Sequence, residues 1–261
     1  MTSNISKTAK ICPGAIIGDN VTIEDDVYID HGVIIRDNTT IKSGTYIGAR
    51  CILNEYTADF FKNKTSNNQQ LIIGENSIIR SETIIYGGTS IGNNFQTGHR
   101  VTIREKALIG NHVRVGTLSD IQGYCEIGNY VNLHSNVHIG QKSKIGNYVW
   151  IFPYVVLTND PTPPSSELFG VTVEDFAVIA TMSVILPGVK IGKDALVGAG
   201  SIITKDVPEQ KVAIGNPMKI VTDVQNIKNK LTGKNVYPWR YTFDRGMPWE
   251  GIGYEKWLAN K

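Results

Sequence analysis

The stretch V-G-T-L-S-D-I-Q-G-Y-C-E-I-G-N-Y-V-N-L-H-S-N-V-H-I-G-Q-K-S-K-I-G-N-Y-V-W-I-F-P-Y-V-V-L-T-N, residues 115–159, decides the fold. An aliphatic residue falls on every sixth position: Val115, Ile121, Ile127, Leu133, Ile139, Ile145, Ile151 and Leu157. A period of six is neither the 2 of a strand nor the 3.6 of a helix, so it marks a structural repeat. Each hexad reads as one short strand followed by one sharp corner. The aliphatic residue points inward, and so does the residue four places later, as at Val131, Val137, Val149 and Val155. The Gly or Asn that often follows the aliphatic is expected to supply a left-handed backbone at the corner. Three hexads close one turn of a triangular prism, and equivalent residues then stack at the strand spacing of about 4.8 Å.

On the N-terminal side the same step runs through Ile11, Ile17, Ile23, Ile29, Ile35, Ile41, Ile47 and Leu53. The run N-E-Y-T-A-D-F-F-K-N-K-T-S-N-N-Q-Q (54–70) then breaks it and is too long for a corner, so it reads as an excursion loop. The step resumes at Ile73 with one defect, Thr97. A second excursion, D-P-T-P-P-S-S-E-L-F-G-V-T (160–172), precedes Val173, Ile179, Ile185, Ile191, Val197 and Ile203. Counting hexads in threes puts Leu53 and Leu157 in the column of Ile139. Both excursions therefore leave along one edge, and long loops in compact folds tend to carry function.

That edge holds Gln141 and Asn159, each third in its hexad, stacked above Gly123 and Glu105. A polar column there is the first place to look for chemistry. After Ile203 the repeat stops. Residues 222–232 read as a short helix ended by Gly233. The tail alternates Tyr237, Trp239, Tyr241 and Phe243 and should pack on the prism or on a neighbouring subunit. Two regions follow: a β-helix over 1–208 and a small aromatic extension over 209–261.

With 261 residues the chain can bury a substantial core, and a net charge of +2 gives no field that argues for nucleic acid. No apolar run follows M-T-S-N-I-S-K, so neither a signal peptide nor a membrane span is expected. Cys12, Cys51 and Cys125 lie far apart without metal spacing, which fits a reducing, cytoplasmic setting.

The hexads over about 11–208 resemble the left-handed β-helix acyltransferases, so the fold class expected is all-β, a left-handed parallel β-helix with two excursion loops. The end P-G-V-K-I-G-K-D-A-L-V-G-A-G-S-I-I-T-K-D-V-P, followed by G-N-P-M-K-I, is similar to their coenzyme A-binding end. N-F-Q-T-G-H-R-V-T-I-R-E, G-T-L-S-D-I-Q-G, L-T-N-D-P and M-P-W-E-G-I-G-Y-E-K-W look like the dTDP-3-amino-3,6-dideoxyhexose 3-N-acetyltransferases. The resemblance implies acetyl-CoA as cosubstrate, a dTDP-linked amino sugar as acceptor, a homotrimer with sites between prisms, and no metal. Relatives with a histidine base read H-D-x-x-I-G where this chain reads Q-K-S-K-I-G. Gln141 therefore stands at the base position, where it cannot accept a proton.

On this reading Asn159, Gln141 and His134 are the catalytic candidates. Asn94, Gln96, His99, Arg100, Arg104, Glu105 and Asp160 are the candidates for substrate contacts. Arg100 and Arg104 would meet a diphosphate. Ala180 and Ala199 would meet the pantetheine amides of coenzyme A, and Lys205 and Lys219 its phosphates. His138 stacks on Asp120 by register, which reads equally well as a wall-face hydrogen bond. His99, His134 and His138 have only a loose metal-like spacing and aim differently along the wall. The competing class is a β-helix protein that binds a metal or only assembles. O-acetyl or longer-acyl transfer is the nearer rival.

Overall fold

The structure is a computed structural model that describes residues 3–63 and 69–261. Residues 64–68 of the first excursion lie outside it. Three sheets of ten, twelve and ten strands wrap into a left-handed parallel β-helix. Strands such as Thr102–Ile103, Asp120–Ile121, His138–Ile139 and Val156–Leu157 are two residues long and stack in strict register. The inward hexad residues Ile29, Ile47, Ile85, Ile103, Ile121, Ile139 and Leu157 are fully buried. Each such side chain stabilises the fold by about 1.5–3 kcal/mol relative to exposure. At the hexad defect, Thr97 is buried and its hydroxyl accepts the Arg80 amide at 2.8 Å, so the polar atom is satisfied.

Corner chemistry differs from the expectation. The left-handed residue is the third after the aliphatic, not the first: Tyr124, Tyr130, Asn136, Lys142, Tyr148 and Tyr154 all have φ between 57° and 64°. The glycine directly after the aliphatic is needed for another reason. A Cβ on Gly116 would lie 2.3 Å from the Ser135 nitrogen, and one on Gly140 would lie 2.5 Å from the Leu157 carbonyl. Those glycines let successive coils approach. Where Asn follows the glycine, as at Asn111, Asn129 and Asn147, its side-chain oxygen accepts the backbone N–H of the preceding coil at 2.8–2.9 Å.

The two excursions follow Ile52–Glu55 and Val156–Leu157, both strands of the third sheet, and both re-enter in the first sheet. They do leave along one edge. The first contains a short helix, α1 (Ala58–Asn63).

Residues 222–232 do not form the expected helix. Lys219–Asp223 is a strand antiparallel to Lys211–Ile214, and one 3-10 turn follows at Val224–Asn226. Lys211–Ile214 itself extends the second sheet against Leu196–Val197. A free sheet edge offers backbone partners to the β-branched Ile220, Val221 and Thr222, whereas so short a helix is marginal alone. The short helix of the extension is instead α2 (Tyr254–Ala259).

The aromatic tail packs on its own prism. Trp239 donates its indole N–H to the Phe176 carbonyl at 2.9 Å, and Trp249 is fully buried beside Tyr148 and Phe176. Arg240 pairs with Asp194, both nearly buried, and its guanidinium lies 4.5 Å from the Phe176 ring centroid. Trp150, an outward residue of the second sheet, is covered edge-on by Trp239 and Phe243 of the same chain.

Arg240→Ala would leave the Asp194 carboxylate buried without its cation. Chemical denaturation should show a loss of about 3–5 kcal/mol. Lys144→Ala, which breaks the exposed Lys144–Glu126 pair, should lose less than about 1 kcal/mol.

Candidate functional site

The strand register places the sequence candidates on three different edges of the prism. Asn94 lies between the first and second sheets. Gln96 is on the outer face of the second sheet, and His99, Arg100, His134, Ala180 and Ala199 lie at the edge between the second and third. Arg104, Glu105, Gln141, Asn159, Asp160 and Lys205 lie at the edge between the third and first. Lys219 is on the terminal hairpin. One molecule therefore gathers Gln96, His99 and His134, but does not bring them to Gln141 and Asn159.

The first group lines a groove of about 500 Å³ on the second sheet, together with Arg80, Arg114, Asn132, Trp150 and Arg245. A smaller hollow of about 150 Å³ adjoins it, lined by Asn94, Gln96, His112, Arg114, Asn132 and Gly246. Gln96, Arg114, Asn132 and Trp150 are successive rungs in register. His134 stacks on Phe152 with centroids 4.6 Å apart, and burial pushes its imidazole below the usual histidine range. Burial, with Arg114 nearby, does the same to His112. Both rings are thus held as neutral donors and acceptors near pH 7.

The arginines divide differently from the sequence reading. Arg100 is tied to Glu82, which also binds Arg50, and the two guanidiniums hold that carboxyl down to about 2. Arg104 pairs with Glu105 at 2.9 Å and lies over the Tyr86 ring. Within this chain both are neutralised by carboxylates. The guanidiniums that line the groove are Arg80, Arg114 and Arg245. Arg114 was legible from its register with Gln96, but Arg245 was not, because its placement depends on how the tail docks.

At the other edge the register stacks Gln141 on Gly123 and Glu105, and Asn159 continues the column. The side-chain turn that opens the second excursion is made by Asp160, not by Asn159. Its carboxylate accepts from the Ser165 hydroxyl at 2.7 Å and from the Ser165 and Thr162 amides, which holds it below the usual range. Asn159 contributes its carbonyl to Phe169 at 2.9 Å. Nearby, His138 meets Asp120 at 3.1 Å. Burial raises the Asp120 carboxyl, but His138 and Gln122 outweigh it and the net shift is downward.

A concavity of about 800 Å³ runs along the first sheet and holds none of the sequence candidates. Its charges are partly paired, as in Glu126–Lys144 at 3.1 Å. Among the described residues no helix is long and apolar enough to cross a membrane.

Residues 20–55 match the bacterial transferase hexapeptide family (six repeats), and residues 170–205 match the hexapeptide repeat of succinyl-transferase. Together the two matched stretches cover under a third of the chain. Staphylococcus aureus 2,3,4,5-tetrahydropyridine-2,6-dicarboxylate N-acetyltransferase is 40% identical over 79 residues, 29% of this chain and 32% of that protein. The match thus spans about a third of the curated relative. Among solved structures, an Arabidopsis UDP-N-acetylglucosamine acyltransferase is 20% identical, covering 84% of this chain and 74% of its own, with a TM-score of 0.47. Caulobacter crescentus PerB, solved with CoA and GDP-perosamine, is 18% identical over 85% of this chain and 58% of its own, with a TM-score of 0.24.

The depressed imidazoles fix a sign for pH dependence. Between the ordinary histidine value of 6.5 and the lower folded value, the unfolded chain binds a proton that the fold refuses. Stability should therefore fall as pH drops below 6.5. Urea titrations at pH 7.5 and 5.5 should show this loss, and His134→Asn should reduce it.

Proposed function

We propose that the protein is an acetyl-CoA-dependent N-acetyltransferase acting on the 3-amino group of a dTDP-linked 3-amino-3,6-dideoxyhexose. The observation that carries this reading is the second-sheet groove. Three guanidiniums, the amides of Gln96 and Asn132, and the rings of Trp150 and His134 line one hollow. Guanidiniums take phosphate oxygens in bidentate pairs, and flat rings with side-chain amides suit a base. The transferase repeats supply the acyl chemistry.

The third sheet supports assembly. Its outward residues Ile16, Ile34, Ile52, Ile84, Val156, Val184 and Ile202 are aliphatic and partly or fully exposed, whereas the outer face of the first sheet carries Glu126, Lys144 and Lys190. An extended apolar face on a lone prism is a contact surface. Its two flanking edges are those of His99 and His134 and of Gln141 and Asn159. Packing three copies around that face would set one edge against the other and complete the site between subunits.

In that site the amine attacks the thioester carbonyl carbon. The tetrahedral intermediate collapses with cleavage of the C–S bond, and the thiolate takes the amine proton, giving amide and coenzyme A. Such an amine titrates near 8 or so, like an α-amino group, so a useful fraction is neutral at pH 7. Gln141 then need not be a base. Asn159 orients the amine, a backbone N–H from a later coil stabilises the oxyanion, and Ala180 and Ala199 border the pantetheine. Lys205 and Lys219, both exposed, would meet the cofactor phosphates. The setting is cytoplasmic.

Acetyl-CoA should bind by calorimetry, and light scattering should give a trimer. Asn159→Ala should lower kcat by up to about 100-fold through lost positioning, while Gln141→Glu changes it only modestly. Val156→Arg should yield monomers without turnover. A fully active monomer would remove the shared site.

A further inference from the structure

The first two coils carry a cluster that the acetyl-transfer reading does not use. Cys12, Asp30 and His31 sit at the edge between the second and third sheets, and each offers one ligand atom such that all three lie within 4.8 Å of one another. The set draws on both coils: Cys12 directly follows the strand Lys10–Ile11 of the first, and Asp30 occupies the same register position on the second. The sequence reading set metal aside on the spacing of the three cysteines, Cys12 among them, and of His99, His134 and His138. The cluster pairs Cys12 with two residues that reading did not weigh.

From this geometry we propose that Cys12, Asp30 and His31 form a site for a zinc-class divalent cation. One sulfur, one oxygen and one nitrogen are the donors that such borderline-soft ions take, and they suit magnesium or calcium poorly. Tetrahedral ligands at zinc stand roughly 3.3–3.9 Å apart, so closure needs a movement of about 1 Å. The His31 side chain is 65% exposed and can supply it. Its ring nitrogen now meets Asp30 at 2.8 Å, and the ion replaces that contact.

The ligands also have outer partners. The Tyr46 hydroxyl donates to the second Asp30 oxygen at 3.0 Å; the first accepts the His31 backbone N–H at 2.7 Å and keeps a second lone pair for the metal. The Cys12 thiol donates to the Tyr28 hydroxyl at 3.2 Å. On metal binding the thiol proton leaves to solvent, and the hydroxyl rotates to donate to the thiolate. The two tyrosines stack 5.2 Å apart, which fixes both second-layer contacts. Outer partners of this kind orient ligands and raise affinity.

The site staples the open N-terminal end of the prism. Inward Ile5 is 40% exposed there, whereas Ile41, two coils further on in the same column, is fully buried. Three protein ligands leave a fourth position for water.

Untagged full-length protein titrated with Co(II) should take up one ion per chain. A thiolate-to-cobalt charge-transfer band should appear, and Zn(II) should displace the cobalt. Cys12→Ser should abolish the band, His31→Ala should weaken binding at least ~10-fold, and Tyr46→Phe should weaken it roughly 10–100-fold. His31 is on the surface, so its variant keeps the fold and isolates the ligand effect. Zinc should also raise the melting temperature of the wild type but not of His31→Ala. Absence of the band in the wild type, or unchanged Co(II) affinity in His31→Ala, would overturn the site. Neither outcome bears on acetyl-CoA binding, which the same variants should retain.

Discussion

Backbone contact between successive coils is the constraint on which everything else rests. Gly110 of one coil lies so close to Gly128 of the next that an added Cβ would sit 2.8 Å from the neighbour's carbonyl. At that distance each strand donates to the coil beyond it, as Gly128 does to Ile145 and Gly146 to Val173, at 2.7–2.8 Å. The pitch fixed by these bonds brings equivalent side chains into columns. Inward columns become the aliphatic core. Outward columns become ladders: His112, Tyr130, Tyr148 and Phe176 stack ring on ring at 4.5–5.4 Å, although each occupies a strained left-handed position. Stacking along the column offsets part of the αL cost that isolated tyrosines would bear.

This is also why so much of the molecule was legible in the sequence. Once the period of six is read, the 18-residue register follows, and with it the contact of Asp120 with His138 and the shared edge of the two excursions. The period says nothing about which corner atom is left-handed, because Gly for close approach and Gly for positive φ look alike on paper. It is equally silent where the repeat ends. The Lys219–Asp223 strand forms because the second sheet still has a free edge there, a tertiary fact that overrides local helical pattern.

The candidate site was legible in columns but not in groupings. The sequence reading ordered Gln141 and Asn159 along one edge, yet it grouped them with His134, which the register puts on another edge with His99. In a three-sided prism, residues a few positions apart can face opposite directions. Arg100 and Arg104 flank one strand, and they serve carboxylates on different edges, Glu82 and Glu105. Arg245 was invisible because its position is set by the docking of Trp239 and Trp249 far along the chain.

The tail then decides which face remains open. By packing Trp239 and Phe243 edge-on against Trp150, the extension partly covers the second sheet while leaving the groove with Arg114 accessible. The first sheet carries charge and has no comparable need for cover. Among the described residues the third sheet presents aliphatic rungs along most of its height, interrupted by Thr102 and the Asp120–His138 pair. A chain that folds its own aromatics over one wall and leaves another wall aliphatic covers the first within the molecule and leaves the second uncovered. The two polar edges bound that open wall, so covering it with further copies is what would bring them together.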